Sequence, residues 1–99
     1  MSLRGQPLER HATLPNAQVV RIRIGVPDDS YVDRHDRDTV DVELWDEGRG
    51  EHLAAVSTVL EPDQDGEARE LLREVVAGLE SGELEPTAAA LEPLADRVR

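Results

Sequence analysis

Val20, Ile22, Ile24 and Val26 alternate with Arg21, Arg23 and Gly25, which is the two-residue period of a strand with one buried face. Pro27 ends this run, and a polar stretch from Asp28 to Asp38 follows. The alternation then resumes, with Val40, Val42 and Leu44 set between Asp41, Glu43 and Trp45. If both strands turn their aliphatic sides inward, Arg21 and Arg23 share a face with Asp41 and Glu43. Opposite charges across antiparallel strands contribute roughly 0.2–1 kcal/mol per pair, so the pattern predicts that these strands are neighbours. Glu47-Gly48-Arg49-Gly50 signals a turn, and residues 53–60 are expected to return as a third strand. Leu53, Val56 and Leu60 also fit helical spacing; the hairpin turn together with Val56, Thr58 and Val59 favours a strand.

Beyond residue 60 the period changes. Ala68, Leu71, Leu72, Val75, Val76 and Leu79 follow the i, i+3, i+4, i+7 spacing of an amphipathic helix. Asp63 or Asp65 is the expected cap, Glu67 and Glu70 suit the positive end, and Gly82 supplies the stop. A second helix is expected from Thr87, with Leu91, Leu94 and Val98 on one side and Pro93 kinking or dividing it. Residues 1–17 show no period and contain Gly5, Pro7 and Pro15, which reads as a flexible lead-in to a single small domain over 18–99. The predicted fold class is α+β: a three-stranded antiparallel sheet followed by two C-terminal helices, β-β-β-α-α.

Composition narrows the functions such a domain can serve. With no Phe, one Tyr and one Trp in 99 residues, the core is aliphatic and thin, and binding to a partner or to itself would add stability. The absence of Cys removes disulfides, thiolate nucleophiles and cysteine-ligated zinc, and points to the cytoplasm. A net charge of −11 argues against nucleic acid and against anionic membranes, both of which attract clustered Lys and Arg. No run approaches transmembrane length, so no membrane partner is expected.

Candidate chemistry is sparse. Asp33, His35, Asp36 and Asp38 form the densest group of metal-ligand types, but Arg34 and Arg37 stand among them and would pair with the acids or repel a cation. A small enzyme or metal-binding domain built on residues 33–38 is therefore the alternative reading, and a solvated polar loop the plainer one. Glu61, Asp63, Asp65 and Gly66 resemble the start of a calcium loop, yet the twelfth position, which needs a bidentate Glu, is Leu72. No nucleophile elbow, phosphate-binding glycine loop or His-Glu-x-x-His motif is present. Neither a catalytic set nor a cofactor is expected.

Trp45 is the residue out of place. Alternation sends it to the solvent side beside Asp41 and Glu43. Depending on the hairpin register, Leu53 or Val56 joins it there. A tryptophan among apolar neighbours on a sheet surface is the composition of a binding site, so Trp45, Leu53 and Val56 are the candidate interaction residues. The expected role is a small acidic protein-interaction or regulatory and accessory module, acting on a protein partner or on itself as a homodimer.

Overall fold

The computed structural model describes residues 7–25, 39–58, 60, 61 and 63–97. They form strands β1 (Leu8–Thr13), β2 (Val19–Gly25), β3 (Asp41–Asp46) and β4 (Glu51–Ser57), then helices α1 (Asp65–Ser81) and α2 (Ala88–Arg97). The strands make one antiparallel sheet in the order β1-β2-β3-β4. The α+β class, the antiparallel sheet and the two C-terminal helices are as the sequence predicts, but the sheet has four strands instead of three. The additional strand is β1, inside the stretch read as an aperiodic lead-in. Its inward positions are Leu8, Arg10 and Ala12, so an exposed arginine interrupts the apolar alternation that marks a strand.

One face of the sheet carries the core. Val20, Ile22 and Ile24 of β2, Val42 and Leu44 of β3, and Ala54 and Val56 of β4 are buried together with Ala12, Val40 and Leu60. On this face α1 packs chiefly along β1 and α2 along β4. Ala68, Leu71, Leu72, Val75 and Leu79 of α1 are buried, and Val76 packs half-buried against the same cluster. Leu91 and Ala95 complete the core from α2. At roughly 1.5–3 kcal/mol for each large aliphatic side chain, this burial is what holds helices to sheet.

The ends of the elements show local chemistry the pattern did not resolve. Gln64, instead of Asp63 or Asp65, occupies the α1 capping position, and its side-chain oxygen accepts from the Glu61 N–H at 2.8 Å. Gly82 ends α1 as expected, in the left-handed conformation with φ 83°. The chain then folds back so that the Leu84 N–H donates to the Gly78 carbonyl at 3.0 Å. Thr87 caps α2 through its hydroxyl, which accepts from the Ala90 N–H. Helix α2 runs undivided through Pro93, which forgoes a single backbone donor at an exposed position.

The fold-back after α1 sets a test of two glycines in one helix. A methyl group on Gly78 would stand 2.8 Å from Leu84 Cβ, whereas one on Gly66 meets nothing within 4 Å. Gly66→Ala is expected to stabilise the protein by roughly 0.4–1 kcal/mol through loss of unfolded-state freedom. Gly78→Ala is expected to destabilise it by about 1–3 kcal/mol, because Leu84 Cβ is tied to its backbone and cannot swing aside. Urea unfolding of both variants checks the opposite signs.

Candidate functional site

The second face of the sheet is built from the residues between the core positions, and neither helix packs on it. Strand register arranges them in cross-strand rows, two of which cross all four strands. Glu9, Arg23, Glu43 and Ala55 form one row, and His11, Arg21, Trp45 and His52 form the next. Trp45 therefore lies on the solvent side, half-buried by its own neighbours. The Arg21 guanidinium stacks over its ring, 4.7 Å from the centroid, and the His52 ring meets it edge-on at 5.3 Å. At exposed sites a cation–π contact contributes about 0.5–1 kcal/mol, which biases the indole towards this orientation.

Acidic residues frame this aromatic row. Arg23 donates to Glu43 at 3.1 Å, and both side chains are less than one-fifth exposed although no helix covers them. Glu43 also stands 4.0 Å from His52, while Glu47 reaches His11 at 3.6 Å and Arg21 at 3.5 Å. The charge complementarity expected between the two central strands is thus realised by Arg23 and Glu43. Arg21 instead lies opposite Trp45 and turns to Glu47, beyond the end of β3.

The other two candidate interaction residues are not on this face. Leu53 is an extra residue at the irregularity that shifts the β3·β4 register between Leu44 and Trp45. A bulge reverses the facing of every residue after it. His52 stays beside Trp45, but Ala54 and Val56 turn to the core opposite Leu44 and Val42. Val56 is buried, and Leu53 packs half-buried against the core cluster, so neither flanks the tryptophan. Arg21 and His52 take those places. The Gly48 and Gly50 turn was readable, but nothing in the apolar spacing of β4 marks a bulge.

Asp46 opens the turn sequence Asp46-Glu47-Gly48-Arg49, and no spacing along the chain marks it as a site residue. It is buried at the rim of an open cleft between the two hairpin turns, lined by Asn16, Gln18, Arg49 and Leu53. One carboxylate oxygen accepts from the Gln18 side-chain amide at 2.9 Å and the other from the Arg49 N–H at 3.1 Å. These bonds join the β1–β2 turn to the β3–β4 turn. The hydrogen bond from Gln18, followed by that from Arg49, holds the Asp46 carboxyl below its ordinary value, against the opposing effect of burial. With both oxygens engaged, Asp46 acts as a tie between loops, not as a general base.

Nucleophiles and metals find little here. The Thr58 hydroxyl is buried and committed, donating to the Val40 carbonyl at 2.7 Å and accepting from the Leu60 N–H at 3.1 Å. Among the described residues no group of three or more His, Asp or Glu side chains is placed to hold a metal ion. The candidate ligands Asp33, His35, Asp36 and Asp38 lie outside the described residues. Among the described residues no helix is long and apolar enough to cross a membrane. No family model, curated protein or solved structure matches this chain.

The Asp46 tie has a defined pH signature. A carboxyl whose folded-state pKa is depressed contributes stability that is present above its unfolded value, near 3.8, and is lost as pH falls through the folded value. The urea midpoint of Asp46→Asn should lie below that of the wild type by a constant margin between about pH 5 and 7. That margin should narrow at more acid pH as the wild-type carboxylate is protonated. A margin independent of pH would show that shape, and not charge, makes the tie.

Proposed function

We propose that this chain is a small acidic protein-interaction module, with a regulatory or accessory role, whose binding surface is the open sheet face centred on Trp45. The observation that carries this reading is the row His11–Arg21–Trp45–His52 on the side of the sheet away from both helices. Tryptophan and arginine are the residue types most enriched among interface hot spots, and here they are pre-stacked. An indole held by Arg21 on one side and His52 on another has little rotamer freedom left to lose on binding, which lowers the cost of association. The face is banded, not uniformly charged: the Glu9–Arg23–Glu43 row alternates in sign beside the aromatic row. Such a surface accepts a protein partner or, through a two-fold axis, a second copy of itself.

Trp45 is the single tryptophan of the chain, so its fluorescence reports this surface alone. Trp45→Ala should abolish association while leaving the domain folded, since the indole contributes nothing to the aliphatic core. Sedimentation across the micromolar range tests self-association, and tagged capture of a partner from cell lysate tests hetero-association. Loss of about tenfold or more in affinity, equivalent to about 1.4 kcal/mol, is the expected effect of the substitution. Association that survives the substitution in a folded variant would remove the site.

A further inference from the structure

A second surface lies along the free edge of β1, on the helix side of the sheet and away from Trp45. Strand β1 pairs with β2 on one side only among the described residues. Helix α1 sits chiefly over β1, so that its outward stripe at Arg69, Arg73, Val76 and Glu80 overhangs that edge. Between them runs a groove of about 630 Å³. Leu8, Leu72 and Val76 supply apolar lining, while Arg10 rises from β1 and Arg69 and Arg73 from α1. Three of the chain's eleven cationic residues meet here, against Glu9 and Glu80, in a protein with a net charge of −11.

Arg10 is the informative residue. It takes the position opposite Ile22, on the side of β1 where Leu8 and Ala12 face the core, yet it is exposed. An inward-pointing charge on an edge strand opposes pairing with an apolar strand. It equally opposes a second copy: a two-fold pairing that kept both helical layers on one side would bring the arginines of both grooves together. A strand carrying carboxylates is favoured on the same grounds. The Arg73 partner in the folded chain is Glu70 at 3.1 Å, a pair in which both side chains are mostly exposed, so exchange for another carboxylate costs little.

We propose that this groove binds an extended acidic segment of a partner protein, added as a fifth strand beside β1. Main-chain hydrogen bonds to the β1 edge give affinity, and alternate side chains give specificity. On the side facing α1 the segment alternates an apolar residue, seated on Leu8, Leu72 and Val76, with a carboxylate between Arg10 and the two helix arginines. This surface adjoins the Trp45 face at Glu9 and does not depend on Trp45.

The test uses the full chain and a labelled synthetic peptide in which every second residue is threonine and the residues between alternate valine with glutamate. Fluorescence anisotropy should show saturable binding, weakened about tenfold or more when glutamate is replaced by glutamine, as loss of two or three ion pairs implies. Arg69→Glu/Arg73→Glu should lose the acidic peptide and gain one carrying arginine in place of glutamate, a rescue that an unfolded variant cannot give. Trp45→Ala should bind the acidic peptide as the wild type does. Absence of saturable binding to the wild type would overturn the proposal. So would equal binding by the charge-reversed variant, or a dimer formed through the β1 edge that excludes the peptide.

Discussion

Ile22 and Ile24 of β2 are fully buried while Arg21 and Arg23, which alternate with them, point the other way, and this one-sidedness of the central strands governs the rest of the molecule. A strand whose alternate residues are aliphatic has one face that must leave water and one that need not. Helices α1 and α2 cover the first face because their own stripes have no other apolar surface to meet. The second face is left to satisfy itself. Among the described residues it does so by cross-strand pairs, Arg23 with Glu43 and Arg21 with Trp45, and neither helix covers it. The candidate binding surface is a consequence of the core, not an addition to it.

The bulge at Leu53 shows how closely the two faces are coupled. Between Asp46 and Glu51 the hairpin register would place Ala54 and Val56 on the outer face, beside Trp45. One inserted residue turns both inward, closes the core under α2, and leaves His52 as the neighbour of the indole. The cost is a local break in the ladder. Leu53 offsets part of it by packing against the core cluster. Asp46 anchors the same corner by bonding to Gln18 and Arg49, so the position of the aromatic row depends on a turn held from two directions.

These details explain which features could be read from the residues. Strands β2 and β3 and helix α1 were legible because their apolar positions repeat without interruption, and the outward direction of Trp45 followed from the same count. Strand β1 was hidden by Arg10, an inward position used for charge instead of burial. Of the two hairpin registers the sequence allows, one sets Val56 beside Trp45 and the other Leu53; the structure follows neither through β4, because a bulge is a backbone event with no apolar signature. Helix α2 survives Pro93 because the helix must give up only one hydrogen bond there, while Leu91 and Ala95 are held in the core. Arg21 and His52 join Trp45 only through register, which no spacing along the chain reveals.

The distribution of arginine makes sense of a chain so acidic overall. At physiological ionic strength the Debye length is about 8 Å, so exposed charges more than a strand or two apart act almost independently. Net charge then governs solubility, and local arrangement governs recognition. On the outer face Arg21 and Arg23 are engaged by Glu47, Trp45 and Glu43, which leaves the indole as the distinctive feature of the proposed surface. In the β1 groove Arg10, Arg69 and Arg73 outnumber Glu9 and Glu80, the acids that line it with them, which is the basis for proposing selection by charge there. The two proposed surfaces, one on the outer sheet face and one at the β1 edge under α1, therefore differ in what they offer a partner: an oriented indole in the first, a cluster of arginines in the second.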